Sequence, residues 1–465
     1  MSSRSPARML PRGIRWSTAT SAFQIEGSRT AEGRGRSIWD DFVDAPGAVV
    51  DGGTADPACD SYRRPADDIA LVAGLGVDSY RFSIPWVRIQ PGGRGAANSA
   101  ALDHYSRLVD GLLERGVTPF PTLYHWELPS EVEQDGGWLN RDTADRFADY
   151  AALVADRLCD RVTDWYTINE AAMTTLQGYG AGTLAPGRQL MFEALPTVHH
   201  QLLAHAHAAA ALRSAGATRV GLTNNHTHVL PRSDEEGDRS AAALYDIVHN
   251  RLFSEPLLAG EYPDLKALGL PEMPVRAGDL GEIAASLDFY GVNFYNPTTV
   301  AAAEPGSPLP FSLVATPGVP HTGFGPEWPI MPSALRDFLI DLVERHPGMV
   351  PIVIGENGAS FPEPANAGRV SDDERIDYLA RHIEAVAEAV ARGVPVQEFT
   401  VWSLMDNFEW SDGYTQRFGL VHVDFATGIR TPKASYDWYR AVIATARERE
   451  ATHGPAGAAR AGRTR

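Results

Sequence analysis

Two glutamates in this 465-residue chain stand in surroundings suited to paired carboxyl chemistry: Glu170, in Thr-Ile-Asn-Glu, and Glu356, in Gly-Glu-Asn-Gly. Each directly follows a short β-rich segment and has an asparagine beside it. A carboxylic acid that protonates a leaving oxygen, opposite a carboxylate that attacks or activates water, is the pair that cleavage of a glycosidic bond requires. One glutamate at a strand end is more simply a surface carboxylate or a partner for a helix N-terminus. Two of them favour a carbohydrate site, given His125-Trp126, Asn293, Tyr295, Trp402 and Gln24 at or near other strand ends.

The elements that must position these residues are legible as an alternation. β-rich segments at 16–19, 79–83, 118–123, 162–168, 219–224, 288–293, 351–355 and 398–403 are mostly followed by amphipathic helical stretches. In 141–159, Ala144, Phe147, Ala148, Ala151, Val154, Ala155 and Leu158 recur at the i, i+3, i+4, i+7 spacing of one buried face. Ser371 with Glu374 predicts a capping box ahead of Ile376, Leu379 and Ile383. Eight βα units without a linker predict an α/β fold: a single (β/α)8 TIM barrel over 1–450, with a loose tail at 451–465. Long βα loops at 296–332 and 406–432 are expected to wall the active-site pocket. The alternative is a doubly wound open sheet. Against it, no strand is followed at once by a phosphate-binding glycine turn; Gly178, Gly180 and Gly182 come after a helix and predict a shaped loop. In a barrel, functional residues gather past the strand C-termini, where Glu170 and Glu356 stand.

Composition narrows the partners. Hydrophobic residues make up 44% and charged residues 22%, which excludes a disordered chain. The net charge is -18, and seven of the arginines lie in the first and last fifteen residues, which hold no acid, so the body is more acidic still. Nucleic acid and anionic membrane are therefore poor partners, and a neutral small molecule is easier to accept. There is no long apolar run or signal-peptide core, so a cytoplasmic location is expected. Cys59 and Cys159 are expected to be free and buried. His199, His200, His205 and His207 share one predicted helix, 192–213, but their spacing does not supply a zinc ligand set. No metal and no cofactor are expected.

The blocks ATSAFQIEG at 19–27, YRFSIPWVRIQP at 80–91, LYHWELP at 123–129, TINEA at 167–171, GVNFY at 291–295, IGENG at 354–358 and VWSLMDNFEWSDGYTQRFGLVHVDF at 401–425, then RTPK at 430–433, run in this order. In them the chain resembles glycoside hydrolase family 1, the β-glucosidase family, and the resemblance spans 16–439. It implies a (β/α)8 barrel and a retaining exo-acting β-glycosidase that releases terminal non-phosphorylated β-glucosyl or related units by double displacement. By position, Glu356 corresponds to the nucleophile and Glu170 to the acid/base. Arg81 and Tyr295 match residues that hydrogen-bond the nucleophile, with Asn293 and Trp126 as further supports. Asn169 matches the residue at the sugar 2-hydroxyl. Gln24, His125, Glu409 and Trp410 match the grip on the other hydroxyls, Trp402 the indole beneath the ring, and Phe418 a further wall of the sugar site.

Glu409-Trp410 and the lack of lysine in 411–418 set the chain apart from the related 6-phospho-glycosidases, and Glu170 from the myrosinase branch, which has Gln there. Ala171 stands where the family usually has Pro, Glu127 for Asp, Leu184 for His and Ser61 for His; these departures are expected on the leaving-group side and among the supports of the site. A transglycosylase with the same two glutamates is the alternative, and a catalytically silent sugar-binding barrel is less favoured because both carboxyls are present. The sequence leaves the oligomeric state open.

Overall fold

The computed structural model describes residues 10–307, 309–363 and 370–452. Eight parallel strands close into a barrel in chain order: β1 (Arg15–Ala19), β2 (Ser79–Ser83), β3 (Thr118–Tyr124), β4 (Asp164–Asn169), β5 (Arg219–His226), β6 (Phe289–Phe294), β7 (Ile352–Asn357) and β8 (Val396–Trp402). β1 pairs with both β2 and β8, which excludes the open sheet. Every expected strand is present, with shifted ends: β4 begins at Asp164 and β5 runs on to His226.

The barrel axis is filled in layers. At the N-terminal end Asp164 meets Arg15 at 2.7 Å and Arg219 at 3.1 Å, with Glu398 buried beside them. Above lies an apolar layer of Phe120, Tyr166, Phe289 and Val353, with Phe120 and Tyr166 stacked 4.3 Å apart. The Arg81 guanidinium rests 4.6 Å over the Tyr166 ring and begins the polar upper layer. The strands are buried on both faces, β2, β4, β6 and β7 along their whole length.

Outside the strands, the helix Asp142–Leu158 buries the expected face except Ala148, which is half-buried, and adds Thr143 and Tyr150; the Tyr150 hydroxyl donates to the Ile84 carbonyl at 2.6 Å. The capping box at Ser371 does not form. The helix starts at Asp373, and the Asp372 carboxylate is taken by Arg375 at 2.8 Å and by the Ser435 backbone N–H at 2.8 Å. Gly178 and Gly180 lie in a wide helical segment, Thr174–Ala181, and not in a loop. A Cβ on Gly178 would come within 2.5 Å of the Ala185 carbonyl oxygen, so the helix can pass there only as glycine. The last helix, Ala434–Thr452, carries the chain across the expected tail boundary; residues 453–465 lie outside those described. Both cysteines are free and buried. The four clustered histidines diverge: His199 to Asp279, His200 to the Trp138 carbonyl, His205 to Thr167 and His207 to Asp145. Among the described residues no helix is long and apolar enough to cross a membrane.

The loop after β8 is anchored by charge. Lys433, fully buried, pairs with Asp406 at 2.8 Å and with Glu363, while Arg417 reaches Asp406 at 3.1 Å and Arg375 reaches Glu363 at 2.9 Å. His422 completes a group whose acidic and imidazole atoms lie within 4.8 Å of one another. The lysine ammonium already meets the charge that a cation would need to balance. Burial works against ionising Asp406, yet Lys433 and Arg417 hold its pKa below the ordinary value. Removing one partner of a buried pair strands the other, at about 3 to 5 kcal/mol. Lys433→Met is therefore expected to lower unfolding stability at pH 7 by about 3 kcal/mol, with the deficit narrowing on acidification as the stranded carboxylates take protons; urea unfolding at pH 7 and pH 4.5 checks both.

Candidate active site

Both glutamates emerge from a fault in strand pairing. The β4–β5 register slips between Tyr166 and Asn169, and the β7–β6 register slips between Ile354 and Glu356. Such irregularities bend a strand and re-aim the side chains that follow. At the second, a Cβ on Gly355 would stand 2.7 Å from Asn293 Oδ1 and 2.8 Å from Thr223 Oγ1, so glycine lets β7 close in. Glu170 itself is left-handed, at φ 51°, with its N–H donating to the Thr223 carbonyl at 2.8 Å. That backbone costs roughly 1 to 2 kcal/mol and turns the side chain from the strand into the barrel mouth.

The two carboxyls are buried in different company. Glu356 accepts from Arg81 Nη1 at 2.5 Å on one oxygen and from the Tyr295 hydroxyl at 2.5 Å on the other. Glu170 accepts only from amides, Asn293 Nδ2 at 2.8 Å and Asn225 Nδ2 at 3.1 Å, both on Oε1. Burial raises both pKa values. For Glu170 burial and the neighbouring Glu356 charge push it up to about 8, against which the amides do little. For Glu356 burial is opposed by the Arg81 charge and the Tyr295 and Arg81 hydrogen bonds, so its rise is held back. Glu170 thus keeps its proton near neutrality, while the Arg81 charge and the donors on Glu356 favour the ionised form of that carboxyl.

Above them opens a cavity of about 500 Å³ that Glu170 and Glu356 both line. Trp402, Trp410, His125 and Phe418 line it too, with Trp410 packed 4.5 Å from Trp126 and 4.4 Å from Trp39. Trp410 is thereby both core and wall. Glu409 also lines the cavity and accepts from Gln24 Nε2 at 3.1 Å; burial, then Asp412 and Glu356, raises its pKa well above the usual range. Gln24 and Asn169 sit one layer behind the wall. Asn169 Oδ1 accepts from Arg81 at 2.6 Å and from Asn293 at 3.0 Å, its Nδ2 faces His125 Nε2 at 3.2 Å, and Trp126 Nε1 donates to its carbonyl at 3.1 Å. The structure therefore brings all thirteen sequence-derived residues into one connected assembly, and both long βα loops contribute to the wall through Trp328 and Phe324 in one and Glu409, Trp410 and Phe418 in the other.

The model of glycosyl hydrolase family 1 matches residues 7–448. The chain belongs to glycosyl hydrolase family 1. It is 41% identical over 441 residues to a 1,4-beta-D-glucan glucohydrolase of Thermotoga neapolitana, covering 94% of this chain and 98% of that one. It is 41% identical over 460 residues to a bifunctional beta-D-glucosidase/beta-D-fucosidase of Bifidobacterium breve, at 94% and 98% coverage. Among solved structures, a Thermotoga maritima family 1 glycoside hydrolase complexed with a cyclophellitol analogue transition state mimic superposes with a TM-score of 0.89 at 40% identity, over 95% of this chain and 99% of that one. The protein is an O-glycosyl hydrolase by family.

For this family 1 chain the departures from the common pattern scatter. Only Leu184 lines the cavity. Glu127 is buried behind it, held by Arg34 at 3.1 Å and pushed up by burial to about 7, and Ser61 instead meets Arg430 at 3.2 Å. Ala171 is buried at the start of the short helix after Glu170. Two site residues, Asn225 and His249, were absent from the sequence-derived set. Asn225 reads only as part of an Asn-His-Thr sequon, yet β2 and β5 were the strands whose ends had supplied no candidate, and that gap was the available signal. The unequal environments of the two carboxyls predict that NMR titration of 13C-labelled glutamate carboxyls shows one group titrating near 8, lost in Glu170→Gln. Tyr295→Phe should raise the pKa of Glu356, because the ionised form loses a donor.

Proposed function

We propose that this family 1 enzyme is a retaining, exo-acting β-glucosidase in which Glu356 is the nucleophile and Glu170 the acid/base. The observation that carries the reading is the division of hydrogen-bond partners: a guanidinium and a phenol on Glu356, neutral amides on Glu170. In the first step Glu356 attacks the anomeric carbon, the glycosidic C–O pair leaves with its oxygen, and the Glu170 proton passes to that oxygen. In the second, ionised Glu170 takes a proton from water, which displaces the sugar from Glu356 with a second inversion, so the configuration is retained. The names of the relatives, glucan glucohydrolase and glucosidase/fucosidase, support a terminal β-glucosyl unit, with β-fucosyl as a further substrate.

An unphosphorylated sugar is favoured by charge. Among the described residues no lysine or arginine lines the cavity, so a sugar phosphate would find no cation there, while the carboxyls of Glu170, Glu327, Glu356, Glu409 and Asp412 do line it. His125 Nδ1 is buried without a protein partner among the described residues and stands in the cavity wall, available to a sugar hydroxyl. Transfer to an alcohol acceptor is a second reading, favoured by the apolar mouth of Leu313, Val314, Trp328 and Pro329, where Leu313 is 49% exposed. A cytoplasmic location fits the acidic chain.

Glu356→Gly is expected to abolish hydrolysis of an aryl β-glucoside, and azide to restore part of it with formation of the α-glycosyl azide. Near-normal turnover of that variant would overturn the assignment. Glu170→Ala should lower kcat/KM for an unactivated glucoside by roughly 10² to 10⁴ and for a dinitrophenyl glucoside far less, with NMR of the first-formed anomer reporting retention. In the unsubstituted enzyme kcat/KM should fall as pH rises through about 8, where Glu170 loses the proton that it must donate.

A further inference from the structure

Asn225 and His249 are among the polar side chains of the cavity to which the double displacement gives no task. His249 lies in the wide helical turn Ile247–Arg251, where the helix that begins at Glu236 slips out of its regular phase. Slips of this kind recur at functional sites because they turn a side chain to a direction that a regular helix would not give it. His249 Nε2 stands 3.2 Å from Asn225 Oδ1, and the Tyr245 hydroxyl stands 3.2 Å from His249 Nδ1. The chain of contacts then continues from Asn225 Nδ2 to Glu170 Oε1 at 3.1 Å.

The two ends of an asparagine amide have the same shape and opposite hydrogen-bonding character. With Nδ2 toward Glu170, Asn225 and Asn293 both donate to Oε1, and an oxygen that accepts two N–H bonds has no room for a proton of its own. The proton of the acid form is thereby left to Oε2. With the amide reversed, Oδ1 would repel the ionised carboxylate, or draw the proton to Oε1, away from the leaving oxygen. Asn225 holds its useful orientation only if something donates to Oδ1, and His249 Nε2 is the group within reach. It can donate if Nδ1 is the acceptor, and the Tyr245 hydroxyl donating there selects that tautomer.

We propose that His249 is a positioning residue for Glu170: by donating to Asn225 Oδ1 it fixes that amide as a donor to Oε1 and so reserves Oε2 for the proton passed to the leaving group. The proposal rests on Glu170 being the acid. The step it serves is balanced: the Oε2–H bond breaks, the O–H bond of the departing alcohol forms with the electron pair of the cleaved glycosidic bond, and Glu356 takes the anomeric carbon. Burial lowers the pKa of His249 to about 4, so the ring is neutral and the tautomer argument holds across the working range. The charged and titratable groups acting on Glu170 are Glu356, Arg81 and Glu409; His249 meets Tyr245 on its own helix and, from β5, His226, which burial also keeps neutral.

The test compares kcat/KM for phenyl and 2,4-dinitrophenyl β-glucosides, since only the poor leaving group needs the proton. His249→Leu is expected to lower the phenyl value by about tenfold and the dinitrophenyl value by less than about threefold, a share of what a general acid contributes. Its alkaline limb should move to higher pH, because Glu170 loses a donor that favours its ionised form. His249→Gln, which can place an amide N–H where Nε2 stood, should recover most of the difference. Equal losses on both substrates, or a Gln variant as selective as Leu, would overturn the proposal. Should the Leu variant not fold, Tyr245→Phe keeps the ring, which stacks 5.3 Å from His249, and removes only the tautomer-selecting hydroxyl. It should change the substrate ratio in the same direction by a smaller factor, and an unchanged ratio would count against the proposal. Glu170→Ala, measured alongside, separates the two ideas. If it shows no leaving-group dependence, the acid assignment fails; if it does and the His249 and Tyr245 variants do not, only the positioning role fails.

Discussion

Arg81 is the charge around which the site is organised. Its guanidinium is 1% exposed, so a cation sits almost dry at the centre of the barrel. Such a group requires a carboxylate and satisfied N–H donors. Glu356 supplies the carboxylate, while Asn169, Thr122 and the Gly355 carbonyl take the remaining donors, and the Tyr166 ring supports the flat face from below. The requirement runs both ways: a carboxylate this deep stays ionised only beside a cation. The second carboxyl, a strand away, has amides only, and the ionised neighbour disfavours its charge further. The buried guanidinium, with the Tyr295 hydroxyl, thus favours the charged form of Glu356, while burial and that neighbour favour the neutral form of Glu170.

The polar layer can exist because the layers below are dry and tightly filled. Phe120, Tyr166, Phe289 and Val353 exclude water from the axis, which strengthens the electrostatics above them. The register slips in β4 and β7 are the local cost of turning two side chains into the same space, and they occur immediately before the residues that the chemistry uses. At the rim, Lys433 with Asp406 and Glu363 ties down the loop that carries Glu409, Trp410 and Phe418, so the aromatic wall rests on a buried ion network.

Much of this was legible from the residue pattern. Short β-rich segments alternating with amphipathic helices announce a barrel, and a barrel puts chemistry at its strand ends, so Glu170, Glu356, Asn169, His125 and Tyr295 could be found from position alone. What escaped was whatever depends on phase or on competition. His249 lies where a helix slips by one residue, which 3.6-residue periodicity cannot anticipate. The cap at Ser371 failed because the helix starts one residue later than its pattern requires, with Asp372 at the N-cap position and its carboxylate held by Arg375 and Ser435. Gly178 was read as loop chemistry when its constraint is the carbonyl of Ala185 pressing on a helix. Asn225 was visible as a residue type, but its neighbours suggested a modification sequon rather than a carboxyl partner.

The packed layer under Arg81 also governs traffic. Among the described residues, Tyr166 and its neighbours fill the barrel axis beneath the cavity. A sugar bound at the inner end is separated from solvent by its own aglycone, so departure has a fixed sequence: the aglycone first, then entry of water through the vacated mouth, and the sugar last. Two substrates that share one doorway in turn give ping-pong kinetics.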